Sequence, residues 1–456
     1  MSIVMKIGGS ILKERKGFDR VVKIVNGRED KQVIVISALY GVTDSLINAA
    51  EKCVKNEMAI GETLVDLRNK HTHLLNSVKD RKIREQAIGG IEEKLAVLER
   101  FLYGVHYLGE LSMRSRDLLQ SFGERLSPIV LQAFLEEAGI STVFLTSEEA
   151  GIAAVGEFDK ANAEMKRTKK NLQKNLVPLL KDKVILVTGF YGIDSGGNVR
   201  SFGRGGTDYT AAVVASCIGA DSLEIWKDVN GFMSANPKIV KEAKRIPLLS
   251  YDEAEELGYL GAEILYPKSI LPLRDAKVSA VIRNIFRPNE KGTIISKEGE
   301  KSRAVIKSIA ASKNVAYITV GEAAMVNAPG VAARLFTMIA NAGISINMIA
   351  TSETNISFTL DRGDLKRAIK EIKSNGGEFE IVESRDDVVL LGVVGEGMNN
   401  IPGTSGKLFS CLGREKINIE MISQGASEIN ISFVIKEKYL DAAIRCIHKE
   451  FVEGGK

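Results

Sequence analysis

The chain has 456 residues, 45% of them hydrophobic and 26% charged, a balance ordinary for a soluble globular protein and long enough for two to four domains with a large core. Its formal net charge is only +4, from 62 Lys and Arg against 58 Asp and Glu, and no long basic run appears, so nucleic-acid binding has no electrostatic support. Cys53, Cys217, Cys411 and Cys446 are scattered without CxxC spacing, which argues against a zinc site or a disulfide framework and fits a reducing compartment.

The first residues read directly as a strand, with no signal-like leader. No apolar stretch approaches the roughly 18 residues of a membrane span. A soluble, cytoplasmic protein with no membrane or nucleic-acid partner is the expectation.

In chain order, apolar strand-like runs at 3–7, 33–38, 142–145, 184–190, 223–226 and 278–282 alternate with longer amphipathic segments. Strands separated by helices imply a mostly parallel sheet with helices on both faces. Residues 45–120, rich in Glu, Lys, Leu and Arg at helical spacing, read as an all-helical insertion. His71 and His73 stand two apart within it, hence on different helix faces, and both are expected to be solvated. Trp226 is expected in the core.

Two glycine-bearing loops stand out. Lys6-Ile7-Gly8-Gly9-Ser10 follows the first strand. Gly203-Arg204-Gly205-Gly206-Thr207-Asp208 precedes the buried-helix run 211–218. Glycines let backbone approach a ligand. Thr207 or Asp208 is a good N-cap, and a helix start turns free N–H groups toward an anion. Neither loop has GxxxxGK[ST] or GxGxxG spacing, which disfavours a P-loop ATPase and a Rossmann dehydrogenase. One loop with Lys and one with Arg and Asp suit a nucleoside triphosphate and a small acid.

The C-terminal third carries an internal repeat. Leu335-Phe336 recurs as Leu408-Phe409, an offset of 73 (408 − 335), and SETNISF at 352–358 recurs as SEINISF at 427–433, an offset of 75 (433 − 358). Each copy reads as a small α+β module, too long in period and too few in number for a solenoid.

The motifs KIGGS at 6–10, VISALYGVTD at 35–44, LGELSMRSRD at 108–117, SFGERLSP at 121–128, VTGFYG at 187–192, SFGRGGTDYTAA at 201–212, EIWKDVNGF at 224–232 and the two SE-x-NISF phrases run in order over nearly the whole chain. With them the sequence resembles aspartate kinase, an amino-acid kinase superfamily member with C-terminal tandem ACT domains. The resemblance implies an α/β, three-layer amino-acid kinase fold with a mostly parallel central sheet, followed by two ferredoxin-like α+β ACT domains. The expected divisions are a catalytic domain over 1–288, a linker over 289–312, a first ACT domain over 313–385 and a second over 386–456, whose last strand could complete the first.

The implied reaction transfers a phosphoryl group from Mg-ATP to the β-carboxylate of L-aspartate, giving 4-phospho-L-aspartate, the first step of lysine, threonine and methionine biosynthesis. Such a transition state needs a Lys and backbone N–H groups facing the phosphoryl oxygens; Lys6, Gly8, Gly9 and Ser10 can supply them. The acceptor carboxylate is already ionised, so no general base is needed. A free amino acid also needs a cation for its α-carboxylate and an anion for its α-ammonium. Arg204 suits the first and Glu124 the second. By the family pattern Asp208 orients Lys6, while Ser37, Thr43, Gly205, Gly206 and Thr207 give further contacts to substrate, and Lys227, Asp228, Met233, Lys238, Glu263 and Ile264 fall in the nucleotide-binding set. The resemblance implies Mg2+ with ATP as co-substrate and no metal site of the protein's own.

The chain departs from the family pattern where a basic residue gives way to Glu263 in GAEILYP (261–267), near the expected nucleotide; Lys227 and Lys238 can compensate. The ACT pair implies feedback by an amino acid, threonine or lysine, and homo-oligomers through ACT pairing. The implied effector residues are Met325, Ala328, Gly330, Ala332, Asn347, Thr351, Ser352 and Glu353. Lysine-sensitive relatives often carry Asp where Asn347 stands, so a neutral effector is favoured. Two other readings remain open. One is a non-catalytic amino-acid sensor with a decayed nucleotide site. The other is a kinase for a different acyl or carbamoyl acceptor.

Overall fold

The computed structural model describes residues 1–261, 264–299, 305–321, 329–374, 379–398, 401–425 and 429–454. They fall into two compact units interleaved in sequence. The first comprises Met1–Phe232, Pro247–Tyr251 and Ile264–Gly299, the second Met233–Ile246, Asp252–Glu263 and Glu300–Lys456.

The first unit is built on an eight-stranded sheet. Its order is Leu248–Leu249, Thr293–Ile295, Ser279–Asn284, Ser222–Lys227, Ser2–Ile7, Lys31–Ile36, Val184–Thr188 and Thr142–Leu145. Every pairing is parallel except that of Ser279–Asn284 with Thr293–Ile295. The central strands are buried over nearly their full length, as expected when helices cover both faces. All six strands expected from sequence lie in this sheet. The segments Leu248–Leu249 and Thr293–Ile295 were not anticipated; the latter lies inside the stretch read as a linker.

Helices Val42–Cys53, Met58–Leu75, Arg81–Leu108 and Met113–Gln120 occupy the expected helical insertion, followed by Phe122–Glu137. Their apolar stripes meet in one cluster that includes Leu67, Leu74, Leu95, Leu98 and Leu126. His71 corrects the sequence reading. It lies on the same stripe as Leu64, Leu67 and Leu74, is fully buried, and its Nδ1 sits 2.7 Å from the Leu67 carbonyl oxygen. Burial pushes its imidazole down to about 4. His73, two residues on, is exposed as expected.

The second unit contains a six-stranded antiparallel sheet ordered Ile346–Thr351, Asn355–Asp361, Ser308–Gly321, Glu380–Val394, Asn430–Lys436 and Met421–Ser423. The two repeat copies share its long central strands, whose register shifts between Ser312 and Tyr317. The copies match in geometry as well as sequence. Phe336 and Phe358 pack edge to face with centroids 6.2 Å apart at 86°, and Phe409 and Phe433 do the same at 6.2 Å and 85°. Each copy starts its helix, Val331–Asn341 or Thr404–Arg414, from a left-handed glycine, Gly330 or Gly403. Lys307 and Glu253 form a buried ion pair at 2.8 Å. His448 is buried between Glu453 and Ser234, with Nδ1 2.8 Å from Oε1 and Nε2 3.0 Å from Oγ.

Candidate active site

Parallel strands collect their following loops at the carboxyl edge of the sheet, and ligands bind there where the strand order reverses. Strand Ser2–Ile7 lies between Lys31–Ile36 and Ser222–Lys227, so chain progression diverges on its two sides. Its end carries Lys6 and the turn Gly8-Gly9, in which the Ile11 and Leu12 amides donate to the Gly8 and Gly9 carbonyls at 3.1 and 3.0 Å.

Helix Gly206–Ile218 begins at the same edge. The sequence expectation of a Thr207 or Asp208 cap is corrected: Gly205 is the N-cap, with φ 70° and no side-chain cap. Its left-handed backbone favours glycine, and a Cβ there would collide with Tyr266. Asp208 is not needed as a cap because its carboxylate is engaged elsewhere. Gly189 allows the helix start to approach strand Val184–Thr188, since a Cβ would strike the Thr207 side chain.

Lys6 and Asp208 form a buried ion pair, Nζ to Oδ1 at 2.8 Å, and Lys227 Nζ lies 3.5 Å from Asp208 Oδ2. Burial lowers the Lys6 ammonium against the opposing pull of Asp208. The Asp208 carboxyl lies below its usual range; burial alone would raise it, and Lys6 and Lys227 together outweigh that. The sheet edge therefore carries two ammonium groups around one carboxylate. Ser37 Oγ lies 3.1 Å from Thr207 Oγ1.

Glu124 is 2% exposed. Its Oε1 accepts from the Ala38 amide at 3.3 Å, while Oε2 is buried without a hydrogen-bond partner in the structure. Burial pushes its carboxyl up to about 8, although the nearby Lys6 pulls the other way. An unsatisfied buried oxygen is costly, and an incoming cation would relieve it. Arg125, its chain neighbour, turns away to Glu148 and lies over the Tyr191 ring, 5.0 Å from the centroid.

Of the other expected substrate residues, Thr43 is half-buried in the first turn of helix Val42–Cys53 and Arg204 is exposed at the head of its loop. Gly206 is buried at the helix start. Of the expected nucleotide residues, Gly8 is buried, Gly9 half-buried, Ser10 and Asp228 exposed, and Ile264 half-buried, all in the first unit. Met233 and Lys238 belong to the second unit, where the Lys238 amide donates to Asn236 Oδ1 at 2.9 Å. Glu263 lies outside the described residues.

Arg114, Arg116 and Asp117 are expected on sequence to hold the helical insertion against the site rather than touch substrate, and Asp117 holds the approach of the Arg204 loop. Fully buried, it accepts the Ser201 amide at 2.7 Å and the Asp159 amide at 3.0 Å. Ser201 stands two residues before Gly203. The motif LGELSMRSRD marked this helix in the sequence, but not the backbone amides that Asp117 takes.

Among the expected effector residues, Asn347, Thr351, Ser352, Glu353 and Ala332 are exposed, and Gly330 caps its helix. Met325 and Ala328 lie outside the described residues. Asn347 Nδ2 is 3.4 Å from Asp361 Oδ1, a neighbouring charge that motif reading did not include. Asn347 also lines a groove of about 800 Å³ within the second unit, together with Glu256, Asn430 and Ser432.

Residues 1–284 match the Amino acid kinase family, and residues 318–375 and 391–451 match the ACT domain. Aspartokinase 1, chloroplastic, of Arabidopsis thaliana is 30% identical over 469 residues, covering 100% of this chain and 81% of its own. The aspartokinase of Schizosaccharomyces pombe is 31% identical, covering 98% and 90%. The crystal structure of E. coli aspartokinase III in complex with aspartate and ADP superposes with a TM-score of 0.86 at 25% identity over 99% of each chain. No described helix is long and apolar enough to cross a membrane. This chain belongs to the amino acid kinase family and, within it, to the aspartokinases that carry ACT domains.

Proposed function

We propose that the chain transfers the γ-phosphoryl group of ATP to the β-carboxylate of L-aspartate, giving 4-phospho-L-aspartate, and so opens the route to lysine, threonine and methionine in the cytoplasm. The observation that carries this reading is the buried Glu124 Oε2, without a partner, beside the Lys6–Asp208 pair. It is a buried carboxyl that an incoming ammonium group would ionise and satisfy, next to a cation site suited to phosphate. An amino acid's α-ammonium and a nucleotide's phosphates fit the two together.

In this reading Lys6 faces the phosphoryl oxygens, where charge develops in the transition state, and Asp208 fixes its position. Gly8, Gly9 and Ser10 offer backbone N–H groups beside it, and Lys227 adds a second positive charge. Arg204 takes the α-carboxylate and Glu124 the α-ammonium, with Ser37, Thr43 and Thr207 as polar contacts. Mg2+ enters as the counter-ion of the nucleotide phosphates. No three His, Cys, Asp or Glu side chains converge among the described residues, and the Asp208 carboxylate is already shared by two ammonium groups. That donor set does not fit a cation cage of the protein's own, and no step is assigned to one. The repeat pair is the regulatory part, binding an amino-acid effector and pairing subunits, over the divisions 1–288, 313–385 and 386–456.

The test is ADP release coupled to aspartate, with the acyl phosphate trapped as its hydroxamate. Amino-acid binding without aspartate-dependent ADP release favours the non-catalytic sensor instead. ADP release with another carboxylate acceptor favours the third reading.

A further inference from the structure

Cys411 and Cys446, 35 residues apart in sequence (446 − 411), meet on neighbouring helices of the second repeat copy, with Sγ atoms 3.7 Å apart. Cys411 lies on Thr404–Arg414 and Cys446 on Leu440–His448, and both are free thiols. Most free cysteines pack singly as small apolar groups, as Cys53 and Cys217 do here, each buried. This pair differs in two respects. The sulfurs touch, and both line an open groove of about 740 Å³ whose walls carry Arg414, Arg445 and Lys449 together with Glu415, Glu450 and Glu453, Arg414 being paired with Glu450. Cys446 is half-buried, so a small reagent can reach the pair from the groove. Hydrogen bonding from Cys446 holds the Cys411 thiol below its usual range, although burial opposes this. A lowered thiol that solvent can reach is characteristic of exchange-competent cysteines.

We propose that Cys411 and Cys446 are a modification site, a dithiol that closes reversibly to a disulfide and staples helices Thr404–Arg414 and Leu440–His448. The oxidant is a low-molecular-weight disulfide. One cysteine, as thiolate, attacks the oxidant's S–S bond and expels one thiol, leaving a mixed disulfide. The other then gives up its proton, attacks the protein sulfur of that bond and expels the second thiol. The two cysteines are oxidised by two electrons, the oxidant is reduced to two thiols, and both cysteine protons end on them. Closure brings the sulfurs from 3.7 Å to about 2.0 Å.

The experiment incubates the full-length chain with glutathione and glutathione disulfide over a series of ratios, followed by peptide mapping and thermal melting. A single cross-link between the peptides holding Cys411 and Cys446, two hydrogens lighter than the dithiol and reversed by dithiothreitol, is expected. The closed form should melt higher than the reduced form, because the loop is constrained in the unfolded chain. Neither C411S nor C446S should show the cross-link or the shift. If buried Cys411→Ser fails to fold, Cys446→Ser at the more exposed partner carries the control alone. Two free thiols across the whole series, a stable glutathione adduct that never closes, or cross-links to Cys53 or Cys217 would each overturn the proposal.

Discussion

Lys6 Nζ and Asp208 Oδ1 stand 2.8 Å apart, with both side chains less than a tenth exposed. A buried pair of this kind contributes little net stability against hydrophobic alternatives, whereas removing one partner strands the other. The pair therefore makes more sense as a charged device at the sheet edge than as a fold-stabilising contact.

Lys6→Ala should lower kcat by roughly 100-fold or more, a loss of about 3 kcal/mol or greater in transition-state stabilisation. Asp208, which also faces Lys227 at 3.5 Å, keeps a cation partner in that variant, so folding should survive. Steady-state kinetics beside a melting curve separate the two effects. Turnover within about tenfold of the parent would remove Lys6 from the assigned role.

With Glu124 as the proposed partner of the α-ammonium, aspartate binding should depend on pH. Its carboxyl is pushed up to about 8 by burial, so the free site is protonated at neutral pH and must ionise to hold an ammonium group. The apparent KM for aspartate should fall as pH rises toward 8 and level off above it, and Glu124→Gln should raise KM and flatten the profile. Stability runs the opposite way. A carboxyl whose folded value exceeds its unfolded one stabilises the fold fully below about 4.5 and loses that contribution as pH rises through about 8. Glu124→Gln should therefore reduce the decline in melting temperature across this window. An unchanged KM profile in the glutamine variant would exclude Glu124 as the titrating group.

His71 supplies an acid-sensitive point in the helical insertion. Its imidazole is pushed down to about 4 by burial, so its neutral form stabilises the fold above the ordinary value of 6.5 and that contribution is lost as pH falls through about 4. His71→Leu should hold its stability better than wild type between pH 6.5 and 4. The Nε2 atom has no hydrogen-bond partner in the structure, so leucine gives up only the bond to the Leu67 carbonyl. Chemical denaturation at a series of pH values measures this; parallel curves for the two proteins would show that His71 does not titrate there.

Asp117→Asn should destabilise the loop from outside the site. Its Oδ2 takes the backbone amides of both Ser201 and Asp159, and the Asp159 amide also reaches Oδ1 at 3.2 Å; asparagine removes the acceptor's charge and turns an NH2 toward a backbone N–H where one of the two oxygens stood. A loss of about 1–3 kcal/mol in unfolding free energy is expected. The KM for aspartate should rise more than kcat falls, since Ser201 leads into the Arg204 loop. A kcat effect with unchanged KM would place Asp117 in the chemistry rather than in positioning.

How far the sequence disclosed this depended on the reach of each signal. Buried parallel strands such as Lys31–Ile36 and Val184–Thr188 announce themselves as continuous apolar runs, and Lys6, Glu124 and Asp208 could be picked out through motifs. Leu248–Leu249 and Thr293–Ile295, at two and three residues, are too short to show a period. His71 was misread because the two-residue spacing to His73 says that the faces differ, not which face is covered. Its place on the Leu67–Leu74 stripe holds that answer. Asp117 and the Cys411–Cys446 contact depend on partners 84 and 35 residues away, which local pattern cannot reveal. Asp361 beside Asn347 was missed for the same reason.

That last neighbour bears on feedback. Asn347 is neutral, which argues against a lysine ε-ammonium at this position, yet the Asp361 carboxylate lies 3.4 Å from its amide. Asp361 is exposed, and exposed ion pairs contribute about 0–1 kcal/mol, against about 1–3 kcal/mol for typical coupling between effector and active site. Solvent screening thus leaves Asp361 a weak counter-charge, and threonine should inhibit the wild type more strongly than lysine. Asn347→Asp adds a second carboxylate beside the first and should shift the preference toward lysine. Inhibition requires that the effector bind the less active arrangement better, so the readout is the inhibition constant at fixed substrate, with binding measured separately. Titration of wild type, Asn347→Asp and Asp361→Asn with threonine, lysine and methionine decides the matter. Strong lysine inhibition of the wild type that disappears in Asp361→Asn would show that Asp361 alone suffices as counter-ion. The argument from the neutrality of Asn347 would then fail.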